Sequence, residues 1–174
     1  DNTFTGDTNI EAGTLQIGDG RTTGALGSDS IKIGDGATLD IRRSDSYTLS
    51  GDITDAASTP ITGGSVAIDS SGGTITLSGN NSYSGGTTVS AGILKAGSDL
   101  TTDGSGNVTG GAVGLGKTTG GDGLITVSDG AELDLDSYSI SNDLNLAGSG
   151  VGVDSGALNH SGSDKAKVTG DITL

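Results

Sequence analysis

The sequence predicts an all-β chain wound as a right-handed parallel β-helix, a solenoid of short stacked strands, and reads as a fragment of a longer stack. Three observations carry this: short alternating runs of branched aliphatics, Gly- and Asp-rich turns between them, and a long internal repeat.

Composition alone points toward disorder. Gly, Ser, Thr, Asp and Asn supply 108 of the 174 residues, and Leu, Ile, Val and Phe only 37. That is close to the level below which a chain cannot bury enough apolar surface to fold. Two details argue against disorder. The apolar residues are nearly all branched aliphatics, which suit a pleated surface. Pro60 is also the single proline, where a disordered segment would carry many.

With 22 acidic residues against 8 basic ones, the net charge is −14. No basic run exceeds Arg42-Arg43, so nucleic acid is excluded as a partner, because a phosphate backbone needs a basic footprint. Only Glu11 and Glu132 are glutamates among the acids. Asp favours turns and Glu favours helices, so the acidity reads as turn chemistry. Cysteine is absent, which removes disulfides, thiolate nucleophiles and cysteine metal sites together. Methionine is absent too, so Asp1 reads as the start of a processed or excised piece, and no apolar run approaches the length of a membrane-spanning helix.

The repeat is ungapped at its start. Residues 2–18, NTFTGDTNIEAGTLQIG, lie over 81–97, NSYSGGTTVSAGILKAG, with seven identities: Asn81, Gly85, Thr87, Ala91, Gly92, Leu94 and Gly97. Further on, 31–41 lie over 125–135 and 46–53 over 137–144. The second copy carries an insertion at 98–110, SDLTTDGSGNVTG, and the first carries Arg42-Arg43-Ser44-Asp45 where the second has Asp136 alone. The domain organisation expected is one β-helical segment over 1–174, with copies at about 1–54 and 74–145 and C-terminal coils at about 146–174. Length differences confined to loops are what a stacked architecture tolerates.

Within a copy, pairs such as Ile31/Ile33 and Leu39/Ile41 flank Gly-Asp-Gly, and Ile125/Val127 precede Ser-Asp-Gly, where Asp and Gly accept tight-turn backbone angles. Each strand offers one or two inward aliphatics, too few to close a sheet alone. No stretch has helical spacing. A β-sandwich would want an aromatic core, whereas a coil of roughly 20 to 25 residues suits a narrow aliphatic column and gives about seven or eight coils, three or four per copy.

The stretch LSGNNSYSGGTTVSAGIL at 77–94, followed by DGAELDL at 129–135, resembles the passenger-associated transport repeat of bacterial autotransporters. The resemblance covers about half the chain. Its first copy departs in having Asp7 where the motif has Gly86. It implies a passenger segment, secreted across the outer membrane of a Gram-negative bacterium and exposed at the cell surface or outside the cell. Membrane contact would come only through a C-terminal barrel absent from this chain. Scarcity of cysteine agrees, since a periplasmic disulfide would obstruct export.

For chemistry, Glu132, Asp134 and Asp136 alternate along one strand, so neighbours sit about 6.5 to 7 Å apart, within the spacing of paired acid/base carboxylates. Thr38, Asp40 and Arg42 hold the matching positions. The adopted reading is a solvated strand face with Leu133 and Leu135 inward. Phe4 pairs with Tyr83 and Tyr47 with Tyr138, which marks all four aromatics as packing residues rather than sugar platforms. His160 has no second histidine or cysteine to complete a triad or metal site. Gly120-Gly-Asp-Gly-Leu124 misses the calcium nonapeptide spacing, and Thr74-Ile-Thr76 is a single Thr-x-Thr instance too isolated for an ice-binding face.

The expected function is therefore a structural stalk and adhesin, with cell, matrix or self-association as the contact, and with virulence as the setting. The alternative is a glycan-active lyase or hydrolase. No enzyme activity, catalytic residue, cofactor or metal is expected. Candidate partners are host or bacterial surface ligands and head-to-tail copies of the chain, with the 98–110 loop as the place where segment-specific binding would sit.

Overall fold

A computed structural model describes residues 2–27, 30–57, 62–97, 115–116, 123–152 and 156–174, and the backbone of 101–102 and 108–110. In chain order the strands are β1 (Thr8–Ile10), β2 (Thr14–Arg21), β3 (Ser30–Ile33), β4 (Thr38–Arg43), β5 (Tyr47–Leu49), β6 (Asp52–Asp55), β7 (Ser65–Leu77), β8 (Thr87–Ala96), β9 (Thr101–Thr102), β10 (Val108–Gly110), β11 (Ile125–Val127), β12 (Ala131–Asp134), β13 (Leu144–Leu146), β14 (Leu158–Asn159) and β15 (Ile172–Thr173). No helix occurs among the described residues. Apart from the antiparallel β9/β10 pair, every strand pairing among the described residues is parallel.

The parallel strands stack on three faces. The first holds β1, β3 and β6, and continues where Asn80 N donates to Asp52 and Ser82 N to Ile53. The second is the long ladder β2-β4-β7-β8-β11-β13-β15. The third runs from β5 through the far halves of β7 and β8 to β12 and β14. β7 and β8 each span two faces, bending between Ile68 and Thr74 and between Ser90 and Gly92. A parallel β-helix is thus the architecture.

Alternation decides what fills it. On the second face, Ile17, Ile41, Ile68, Val89, Val127 and Leu146 lie in register, all buried. On the third, Ile75, Leu94 and Leu133 are each fully buried, with Leu77 and Ala96 paired beside them. Each strand contributes two inward side chains, and only stacking joins them into a continuous core. The second face carries seven rungs, matching the expected coil number. Its longest coil runs from Thr87 to Ile125 and contains the insertion. Beyond its two short strands, the 98–110 loop lies outside the described residues.

The two sequence copies are out of phase with the faces. Ile10 sits on the first face, while its equivalent Val89 sits on the second. Leu15 lies on the second face and Leu94 on the third; Ile31 lies on the first and Ile125 on the second. The repeat therefore advances three coils and one further face, so equivalent strands are not stacked on one another. Repeat spacing alone does not reveal this, because coil lengths vary with their loops.

The phase shift also corrects the pairing of Phe4 with Tyr83. Tyr83 is fully buried, its hydroxyl 2.6 Å from Thr87 Oγ1, whereas Phe4 is 44% exposed. Phe4 lies ahead of β1 beside the segment 25–27, and its ring stays open to solvent. Tyr47 and Tyr138 do pack against the core, each half-buried.

The Arg42-Arg43 insertion leaves the aliphatic columns intact but builds a polar knot. Arg43 is buried, holds Asp45 through Nε and Nη2 at 2.9 Å each, and donates to the carbonyls of Thr22 (2.6 Å) and Gly24. Its guanidinium lies 4.7 Å from the centre of the Tyr47 ring, whose hydroxyl accepts from Leu26 N. The segment 22–26 is thereby tied to the β4–β5 corner. Arg43→Met is expected to lower unfolding free energy by about 2 kcal/mol, since it strands two carbonyls and a carboxylate. Arg42→Met, at a side chain 45% exposed, should have a much smaller effect. Urea melts of the two variants check the difference.

Candidate functional site

The strand carrying Glu132 and Asp134 is the one place where sequence spacing suggested acid/base chemistry. Both side chains point away from the aliphatic column, as the alternation with Leu133 requires. They are nevertheless not solvated. Glu132 is 3% and Asp134 5% exposed, which corrects the expectation of an open polar face. The cover comes from the following coil. Val151 N donates to Glu132 Oε2 (3.4 Å) and Asn159 Nδ2 to Oε1 (2.8 Å). Asp134 Oδ1 accepts from Asp136 N (2.8 Å) and Ser161 N (3.0 Å), and Oδ2 from Ser161 Oγ (2.5 Å). Lys95, from the preceding coil, places Nζ 3.8 Å from Asp134 and 3.6 Å from Asp136.

These carboxylates act as ties between coils. A buried carboxylate needs donors, and the turn of the next coil presents free N–H groups. The same device recurs through the stack. Asp35 Oδ1 accepts from Thr62 N (2.7 Å), Thr62 Oγ1 (2.9 Å) and Gly63 N (2.7 Å). Asp55 accepts from Gly64 N (2.8 Å), Ser84 N (3.2 Å) and Ser84 Oγ (2.7 Å). Asp143 accepts from Asp171 N (2.8 Å). The Asp-rich turns read in the sequence are hydrogen-bond acceptors for their neighbours 27 to 29 residues on.

Electrostatics fit that role. Burial pushes the Asp134 carboxyl up, but the Ser161 hydroxyl, the amides of Asp136 and Ser161, and Lys95 outweigh it and hold the group below its ordinary value. The Arg43 hydrogen bonds hold Asp45 down in the same way. A general acid at neutral pH requires the opposite shift. At the matching first-copy position, Asp40 binds Arg42 Nε at 2.7 Å, which raises the guanidinium pKa. Thr38 Oγ1 lies 2.9 Å from Ser65 Oγ.

Because the folded-state pKa values of Asp45 and Asp134 are depressed, their contribution is present above the unfolded value and lost as pH falls through the folded one. The melting temperature is expected to hold from neutrality to about pH 5 and to drop below about pH 4. The double variant Asp45→Asn/Asp134→Asn should melt lower at neutral pH and show a shallower acid limb. Calorimetry across pH checks the slope.

His160 is exposed, its ring bonded to the carbonyl of Asp164, and it joins neither Glu132 nor Asp134. No group of three or more His, Asp or Glu side chains is placed to hold a metal ion among the described residues. Sequence spacing missed Arg43 and Asp55 because both act on partners far along the chain. Asp136 adopts φ 51°, a left-handed angle that Asp tolerates, and it turns the strand where the first copy spends four residues.

Comparison with known families finds matches to the passenger-associated-transport-repeat at residues 1–17 and 70–96. Two segments of the chain are thus similar to that repeat. The second match spans the far half of β7 and all of β8, the two strands that bend across two faces. The first covers β1 and the start of β2, one face out of phase. No curated protein and no solved structure matches the chain significantly.

The glycine that the two matched segments share has a left-handed backbone in both, but packing demands it in only one. Gly92 has φ +80°, and a Cβ there would meet the Ser70 carbonyl oxygen at 2.0 Å. Its equivalent Gly13 has φ +75° with nothing within 4 Å. Passenger repeats imply a surface or secreted setting in general, and here they form a stacked scaffold whose carboxylates fasten coil to coil.

Proposed function

We propose that this segment is a rigid, acidic stalk within an autotransporter passenger, displayed outside a Gram-negative cell, where it spaces or presents adhesive surfaces. The observation that carries the reading is the pair of passenger repeats wound into one continuous coil stack. Acidic groups spent as inter-coil acceptors, rather than gathered in an open cleft, support a mechanical role. The sheathed positions of Glu132 and Asp134 weigh against the glycan-active alternative, in which both carboxylates would have to reach a sugar.

The purified chain is tested for saturable binding to matrix proteins, glycans and immobilised copies of itself, alongside a screen for polysaccharide cleavage. Binding without release of reducing ends is expected. Cleavage that disappears in Glu132→Gln or Asp134→Asn, with the fold retained by circular dichroism, would overturn the stalk reading.

A further inference from the structure

The tetrapeptide Ile-Gly-Asp-Gly occurs twice, at 17–20 and 33–36, and the fold treats its two copies differently. At 33–36 the Asp-Gly pair is the centre of a tight turn closed by Ala37 N to Gly34 O at 2.9 Å. The Asp35 carboxylate is held by Thr62 and Gly63 of the next coil, and Gly36 N is bonded to Gly63 O at 3.0 Å. Asp129-Gly130 sits in the equivalent turn, closed by Ala131 N to Ser128 O at 3.0 Å, with the Asp129 side chain lodged against Gly148. Asp19-Gly20 has no such restraint. It lies where pairing between β2 and β4 is interrupted from Ile17 to Arg21. The Asp19 side chain is 62% exposed with Arg21 beside it at 3.8 Å, and, as at Gly130, nothing lies within 4 Å of where a Gly20 Cβ would stand.

We propose that Asp19-Gly20 is a site of spontaneous isoaspartate formation in the folded protein, and that the inter-coil ties of Asp35 protect Asp35-Gly36. The backbone nitrogen of Gly20 attacks Asp19 Cγ, a C–N bond forms, and the carboxyl oxygen leaves as water with the amide proton. Water then opens the five-membered imide at either carbonyl, restoring aspartate or leaving the chain routed through the side-chain carbonyl. The step needs a glycine that does not crowd the attacking nitrogen and a backbone free to rotate. A carboxylate already accepting three donors is held away from the nitrogen, and its turn must open first. The consequence is a modification site in the first coil, beside the segment that Arg43 ties down, and a substrate for carboxyl methylation of isoaspartate; Asp103-Gly104 and Asp122 lie outside the described residues.

The folded chain is aged at mildly acidic pH, digested and mapped by mass spectrometry. Isoaspartyl groups are counted by methyl transfer from labelled S-adenosylmethionine, and a urea-unfolded sample serves as the reference. Isoaspartate at Asp19 is expected to exceed that at Asp35 by about tenfold or more, because the latter reacts only through local opening. In urea the two sites should converge. Asp19→Glu should abolish the signal in the 17–20 peptide while leaving the melting temperature unchanged. Equal accumulation at Asp19 and Asp35 in the folded chain, or none at Asp19 while the unfolded chain reacts, would overturn the proposal.

Discussion

Replacing Gly92 by alanine is expected to destabilise the chain by about 3 to 5 kcal/mol, the sum of left-handed strain and steric conflict in a packed interior. Gly92 lies at the corner where β8 passes from the second face to the third, and its backbone rests on the coil below. A Cβ would meet Ser70 O at 2.0 Å and Gly73 O at 2.8 Å, both backbone atoms that cannot move without shifting β7. Gly13 occupies the same position in the first repeat with the same sign of φ, but nothing lies beneath it. Gly13→Ala keeps the strain and loses the conflict, so about 1 kcal/mol is expected. Urea titrations of the two variants, with equal slopes confirming a shared unfolded state, measure the difference.

Removing the aromatic ring at repeat-equivalent positions should divide the same way. Tyr83→Ala is expected to cost about 3 to 5 kcal/mol, as is usual when a fully buried ring is replaced by a cavity. The tyrosine fills the interior beside Leu115 and Thr87, and its hydroxyl shares Thr87 Oγ1 with the Leu115 carbonyl at 3.3 Å from that oxygen. Burial pushes its phenol pKa well up, against the smaller pull of Thr87. Tyr83→Phe removes only that contact and should cost about 1 to 2 kcal/mol. Phe4→Ala, at a ring 44% exposed, should change stability by less than about 1 kcal/mol. Thermal melts of the three variants would place them in that order.

Both comparisons show how far the sequence could be read. The 79-residue offset, the turn glycines and the inward set Tyr83, Val89 and Leu94 were all legible, because alternation and turn chemistry are local and the repeat exposes them twice. The assignment of acidity to turns was legible for the same reason. What escaped was everything set by the coil above or below. The offset does not say that Ile10 and Val89 lie on different faces, since that depends on loop lengths summed over three coils. Alternation correctly turned Glu132 and Asp134 away from the core, but their cover arrives from Val151, Asn159 and Ser161 on the following coil. Phe4 and Tyr83 differ in neighbours, not in motif.

The acidic ties also connect composition to mechanics. A chain with so few large apolar residues has little core to hold each coil, and each face of a coil adds only one or two inward aliphatics. Charge-assisted bonds from Asp35, Asp55 and Asp134 into the next turn add a second layer of attachment outside the aliphatic column. The Asp134 tie is expected to hold at neutral pH and to weaken in acid, as its lowered pKa requires.

The central claim is that residues distant in sequence stack in parallel register. Oxidation of engineered cysteine pairs in this cysteine-free chain tests it most directly. Thr88 and Thr126 are register partners on the second face, with side chains outward. Stacked neighbours lie about 4.8 Å apart, within the Cα separation of about 4.4 to 6.8 Å that a disulfide bridges. Asn9 and Thr88 are equivalent in the repeat but lie on different faces. The coil stack predicts rapid intramolecular closure of Thr88→Cys/Thr126→Cys and none for Asn9→Cys/Thr88→Cys. Failure of the first pair to close, or closure of the second, would contradict it.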